Sequence, residues 1–305
     1  MTFRIRPSEP FADEFCRIAE RQLRHAINIM RERPEGDHQA IHATRKRFKR
    51  LRALYRLVAT DAREFRRTEN DRIRTVAQSL SGARDATALV ETVDYLAGLA
   101  ISAEELAALG FASRALIERR DRIASAQGDL ADTINAAISA CEDAVEALHG
   151  LDLPRGQTRT ARRVSKAFRK EGLKALTALA ACNETHSAEA FHDLRKCGQT
   201  LWMYLTLFSD LWPTAMAAQK RETKRLVDLL GHEHDLSVLT QVINESPELF
   251  GDSDTLALLI GAIITRQQAI RTEALALADH VLASQPRREA RIIGRLWLEA
   301  ADALS

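Results

Sequence analysis

The sequence predicts an all-α protein. Three features carry that expectation: residue usage, helix breakers at helix-length intervals, and a motif series that recurs at a fixed distance. Ala, Leu, Arg and Glu dominate, with only 13 Gly and 7 Pro in 305 residues and 5% aromatics, which is the composition of helices and not of sheet. A hydrophobic content of 46% over this length supplies a core for one large domain or two smaller ones.

Taken in order, Ser8 to Pro10 opens a helix that runs to about Arg33, where Pro34 and Gly36 end it. Asp37 caps a second helix, to about Thr60, and a third runs from about Asp61 to Leu80. Gly82 and Asp85 mark a turn and a new start. Ser102 and Glu105 have capping-box spacing and open a long helix to about Gln127, followed by one from about Asp129 to His149. Gly150 to Gly156, with Pro154, reads as a linker. Beyond it the pattern predicts helices over Gln157 to Cys182, Ser187 to Phe208, Pro213 to Leu230, Asp235 to Glu245, Ser253 to Ala283 and Pro286 to Leu304.

Equal helix counts on either side of the linker suggest an internal duplication. At an offset of 150 residues His42 falls on His192, Arg45 on Arg195, Lys46 on Lys196, Leu80 on Leu230 and Asp85 on Asp235, with Arg74 on Lys224 as a like-charge pair. Two pseudo-symmetric helical bundles are expected, residues 1–150 and 151–305, together forming one domain around a basic central surface.

Charge is segregated within a formal net charge of only +2. On the helix from Ile41 to Val58, His42, Arg45, Lys49, Arg52 and Arg56 share an arc of about 80° with no interleaved acid, beside an apolar sector of Ile41, Phe48, Leu51 and Tyr55. Arg159, Arg163, Lys166 and Lys170 form a second stripe, with Arg162 and Arg169 at its edge, and Arg17, Arg21 and Arg24 a third. One such stripe alone reads as a solvated face whose Arg stems cover apolar neighbours. Three in one chain, two of them without compensating Glu at i,i+4, imply an anionic partner. His42 and His192 each begin a basic stripe one turn before an Arg; neighbouring cations should keep them neutral, able to donate to a phosphate oxygen. Asp85 and Asp235 read as caps after Gly-containing turns, and His232 and His234 as exposed turn residues. The four cysteines are scattered without CxxC spacing, which suits a reducing compartment, and no signal core or bilayer-length apolar run is present; a cytoplasmic protein is expected.

The stretches IHATRKRFKRLRALYRL with LSGARDATAL, and FHDLRKCGQTLWMYLTLF with LLGHEHDLSVL, resemble the CHAD family, the conserved histidine α-helical domain, of the stand-alone type. The resemblance spans about residues 10–300. It implies two helical bundles with a basic central surface that binds inorganic polyphosphate, and an association with polyphosphate granules; the basic helices themselves, without a paired acid, a metal cage or an activated nucleophile, are expected to bind without catalysis, cofactor or metal. The contacts it implies are His42, Arg45, Lys46, Lys49, Arg52, His192, Arg195 and Lys196, with Arg74 and Lys224 on the third helices and Arg159, Arg163, Lys166 and Lys170 on the helix before the second histidine. The second half departs from symmetry, with Gln199, Trp202 and Thr206 where the first has Lys49, Arg52 and Arg56, so the first histidine helix and the helix from Gln157 should dominate.

Two rival functions follow from the same residues. An HD-type metal phosphohydrolase could draw on His42, His192, Asp193, His232, Glu233, His234 and Asp235, but His192 and Asp193 lie about 100° apart on one helix and guanidinium groups would surround the cation. Nucleic-acid binding would use the same bases, but few aromatics interleave them for stacking. A purely structural helical scaffold is the bland alternative.

Overall fold

The computed structural model of the protein describes residues 3–126 and 130–302, excluding the side chains of 82–85 and 124–126. Among the described residues there are eleven α-helices, two short 310 helices and no strand, as composition predicts. The helices are α1 (Phe11–Glu32), α2 (Asp37–Leu57), α3 (Arg63–Ser79), α4 (Gly82–Ala97), α5 (Ala103–Ala126), α6 (Leu130–His149), α7 (Gln157–Thr185), α8 (Ala188–Leu207), α9 (Pro213–Glu245), α10 (Ser253–Val281) and α11 (Pro286–Asp302). Element starts recur at the sequence offset: α5 opens at Ala103 and α10 at Ser253, and α2 closes at Leu57 as α8 does at Leu207.

The local punctuation is mostly as expected. The Glu105 N–H donates to Ser102 Oγ (3.1 Å), while the Glu105 carboxylate reaches back to the Ile101 N–H (3.2 Å), one residue before the usual capping-box partner. Ser187 caps α8 by accepting from the Ala190 N–H (3.2 Å), and Asp252 caps α10 by accepting from the Thr255 N–H (2.9 Å). At α2, Gly36 occupies the cap position that Asp37 was expected to fill. The predicted boundaries at Gln127 and Asp129 lie outside the described residues.

The break expected between Leu230 and Asp235 does not exist. α9 runs unbroken for 33 residues, and Leu226, Leu230, Glu233, Leu236 and Leu239 form one buried stripe through Gly231. A helical glycine costs about 1 kcal/mol relative to Ala, less than the burial of two leucines recovers, so packing overrides the breaker. Asp235 therefore caps nothing. Asp85 falls inside the first turn of α4, which starts at Gly82 behind Ser81, and its side chain lies outside the described residues.

Packing crosses the expected division of the chain. α1, α2, α3 and α6 enclose Phe15, Leu51, Tyr55, Ile73 and Cys141, and this core continues into α7, α8 and α11 through Phe208 and Trp297. Trp297 is fully buried, edge-on to Phe11 and Phe208, and its Nε1–H donates to Gln157 Oε1 (2.9 Å). A second core, with Leu89, Val93, Leu109, Leu239, Phe250 and Ile263, joins the α4–α5 hairpin to α10 and the C-terminal half of α9. A third binds α7 and α8 to α9 and α10 around Phe191, Leu194, Leu226 and Ala274. α2 meets α4, α7 and α8 only sparsely, and that junction is where the basic side chains collect. All four cysteines are free thiols. Among the described residues no helix is long and apolar enough to cross a membrane.

α11 lies tightly on α7. A Cβ at Gly294 would overlap Ser165 Oγ, which is itself committed to the Ala290 carbonyl (2.8 Å), whereas a Cβ at Gly261 on α10 meets nothing within 4 Å. Gly294→Val should therefore lower the unfolding free energy in urea by about 1–3 kcal/mol. Gly261→Ala should raise it by about 0.4–1 kcal/mol.

Candidate functional site

α2 is sorted as its sequence implies. Ile41, Phe48, Leu51 and Tyr55 are buried, which turns Arg45, Lys49 and Arg52 toward the junction with α3, α8 and α9. There a groove of about 680 Å³ opens, walled by α2, α3, α4, α8 and α9 and lined by Arg45, Arg52, Arg74, Lys196, His234 and Asp235. Two of its guanidinium groups are braced from α3: Arg45 donates to the Ala77 carbonyl (2.8 Å) and Arg52 to Asn70 Oδ1 (3.1 Å). Arg74 lies 3.6 Å from Asp71, and Lys196 donates to Asp193 (2.7 Å).

The field is that of crowded cations. Lys49 keeps exposed surface beside the groove; desolvation first, then repulsion from Arg195 and Arg45 against the attraction of Asp235, lowers its pKa to about 8. Burial also depresses Arg52, helped by Arg56, Arg74 and Arg66, and depresses Arg195 against the pull of Asp235 and Glu233. The His192 and His234 rings lie 4.6 Å apart, tilted by 31°. Burial lowers the pKa of His192 first, with Lys196 and Arg195 adding to it, and the same causes take His234 to about 4. Both imidazoles are thus neutral donors or acceptors at neutral pH.

The basic surface continues beyond Lys196. Arg56 donates to Thr200 Oγ1 across the α2–α8 contact (2.8 Å) and borders a second hollow of about 550 Å³ with Lys174 and Lys196, which also contains Glu171 and Asp193. Arg56, Lys166, Lys170 and Lys174 then line a shallow crevice against α7. Lys46 is exposed at the edge, contributing to the repulsion on Lys49, and His42 is half-buried one turn before Arg45.

Other expected contacts have structural duties. Arg163 is buried, ion-paired to Asp61 (2.7 Å), hydrogen-bonded to the Pro154 carbonyl (3.3 Å) and laid over the Phe11 ring at 4.4 Å. Of the stripe expected on this helix, Arg163 alone turns into the core, where Asp61 and Phe11 hold it. Arg17 is held by the buried carboxylate of Glu14 (2.6 Å) and Arg24 by Glu20 (2.6 Å), while Arg21 is half-buried and depressed by burial and by Arg17. None of these three lines the groove. Lys224 is paired with Asp228 and sits over the Trp202 ring, so it does not mirror Arg74. Arg159 is exposed on the first turn of α7, away from the groove.

Reading GHEHDLSVL as a turn missed His234 and Asp235 as groove residues. The signal was the apolar spacing of Leu226, Leu230, Leu236 and Leu239, which carries one helix through Gly231 and rotates both residues to the wall facing Arg195. His232 is exposed, as expected, but stacked on Tyr95 at 4.7 Å. Among the described residues no three His, Cys, Asp or Glu side chains are grouped to hold a metal ion.

A model of the CHAD domain family matches residues 17–244. The crystal structure of the CHAD domain from the plant Ricinus communis aligns over 92% of this chain and 94% of its own, with a TM-score of 0.57 and 18% identity. No curated protein matches.

Arg163→Ala should cost about 3–5 kcal/mol in urea unfolding, because it strands Asp61, whereas Lys49→Ala should leave stability unchanged or raise it by relieving repulsion. Glu14 adds a pH signature. Burial opposes its ionisation, but hydrogen bonds from Arg17 and Arg6 outweigh burial and hold its pKa at about 2. A folded-state value below the unfolded one, about 4.3, contributes stability of about 3 kcal/mol that is present above pH 4.3 and lost as pH falls through about 2. Unfolding free energies across that window should flatten in Glu14→Gln.

Proposed function

The chain belongs to the CHAD domain family, and on that premise we propose that it binds inorganic polyphosphate in the groove between α2 and α9 and catalyses no reaction on it. The observation that carries this reading is the gathering of Arg45, Arg52, Arg74 and Lys196 around one concave surface, with Lys49 and Arg195 close by and Asp235 the one carboxylate among the described lining residues. Cations held at such distances repel one another, and a chain of phosphates offsets that repulsion all along the groove.

Each phosphate oxygen taken up by Arg45 or Arg52 gains a charge-assisted hydrogen bond from a guanidinium already braced on α3, so little side-chain entropy remains to be lost. His192 and His234 supply neutral imidazole N–H donors, and an anion beside them raises their pKa. What supports binding without catalysis is that, among the described lining residues, the one carboxylate, Asp235, faces cations rather than a second acid. The same reading puts the protein in the cytoplasm at polyphosphate granules, and a fluorescent fusion co-localising with stained granules would bear on it.

Titration with inorganic polyphosphate at two salt concentrations tests the site. Affinity should fall steeply with salt, and replacing Arg45, Lys49 and Arg52 together by Ala should weaken binding at least about a hundredfold, with helicity preserved. The matched control, Arg114, Arg119 and Arg122 to Ala on α5, should change little. Equal binding by the two variants would remove the ligand from α2. Duplex or single-stranded nucleic acid that displaces polyphosphate, and is not displaced by it, would point to a nucleic-acid partner. Sustained phosphate release with added magnesium or manganese, lost in His192→Ala, would establish catalysis.

A further inference from the structure

The outer face of α7 and α11 carries a second concentration of arginine. The two helices run antiparallel: Gly172 lies against Pro286, Ser165 is bonded to Ala290, and Gln157 to Trp297. On one side of this pair Phe168 packs on Tyr204 and Phe208, and Glu289 accepts from Gln219 of α9 (2.6 Å). With that flank committed, the turn of about 100° per residue brings Arg162 and Arg169 of α7 to the opposite flank, beside Arg287, Arg291 and Arg295 of α11. All five are exposed, and among the described residues none has an ion-pair or side-chain hydrogen-bond partner.

Some exposed arginines elsewhere are paired, as Arg24 is with Glu20, Arg31 with Glu142 and Arg225 with Glu273, and others, such as Arg63 and Arg155, are not; what sets this face apart is that five unpaired arginines from two helices share it. On α11 Glu289 is turned away toward Gln219, and Glu299, one turn beyond Arg295, is not paired with it. The arginines at i, i+4 and i+8 rise about 6 Å per step, close enough for like charges to destabilise the helix slightly. Lys166 and Lys170, which line the crevice with Arg56, stand on α7 between this flank and the central groove.

We propose that the α7–α11 face is an outer subsite onto which a polyphosphate chain too long for the groove continues, passing from Arg56 over Lys166 and Lys170 to Arg162, Arg169 and the α11 arginines. This rests on the groove reading above. A chain already held in the groove presents its remaining phosphates to α11 at high effective concentration, so the outer contacts add affinity only for long chains.

The test compares polyphosphate of about 10 and about 100 phosphates on the full chain, wild type against Arg287→Ala, Arg291→Ala and Arg295→Ala combined. The variant should bind the long polymer about tenfold more weakly, with a log–log salt slope shallower by about 2, and bind the short one as wild type does. Arg162→Ala with Arg169→Ala should repeat the pattern from the other helix, and matching circular dichroism melts exclude loss of the fold. Unchanged affinity for both lengths, or equal loss for both, overturns the outer subsite. If the triple variant keeps full long-chain affinity but loses duplex DNA, the face serves nucleic acid and the proposal fails. A wild-type chain that binds neither polymer overturns the groove itself, an outcome distinct from all of these.

Discussion

Electrostatic confinement is the constraint around which the rest of this structure is arranged. Arg45 and Arg52 in the groove, and Lys49 and Arg195 beside it, are held near one another, and nothing in their mutual interaction keeps them there. The force that does is apolar packing on the opposite faces of the same helices. Phe48, Leu51 and Tyr55 fix α2 from behind, and Phe191 and Leu194 do the same for α8. A basic site of this kind needs rigid helices more than it needs any single contact, which is why it sits where three apolar cores meet and none extends.

The protein separates its cations into two populations. Arg163, Arg17 and Arg271 each serve a buried or half-buried carboxylate and hold elements together: Arg163 with Asp61, Arg17 with Glu14, Arg271 with Glu233 beneath Phe191. These are expensive pairs to break, since removing one partner leaves the other buried and unmatched. Arg45 and Arg52 are instead braced by neutral oxygens, the Ala77 carbonyl and the Asn70 amide, that fix their direction and leave their charge uncompensated. A carbonyl or an amide can orient a guanidinium without neutralising it. Direction without neutralisation is what a binding surface for an anion requires.

Much of this was legible in the residues. The helix class, most element boundaries, the capping box at Ser102 and Glu105 and the inward turn of Arg45, Lys49 and Arg52 follow from periodicity and cap chemistry. Two kinds of information were not local. Gly231 looked like a break because propensity is read one residue at a time, whereas the leucines that carry α9 through it are satisfied by α4, α8 and α10, far away in sequence. The stripe containing Arg163 looked uniform because helical phase alone does not say how far a core extends around a helix. Asp61, which claims Arg163, lies 102 residues earlier, and no spacing rule links them.

The unbroken run of α9 also has a mechanical side. At about 1.5 Å per residue its 33 residues make a rod of about 50 Å, with one end in the α7–α8 packing and the other among α4, α5 and α10. The corresponding wall across the groove is made of two pieces, α3 and α4, joined at Leu80 and Ser81. One side of the groove is therefore a beam and the other a jointed strut. His234 and Asp235 therefore stand on one continuous helix, whereas the side carrying Arg74 changes helix at Leu80 and Ser81.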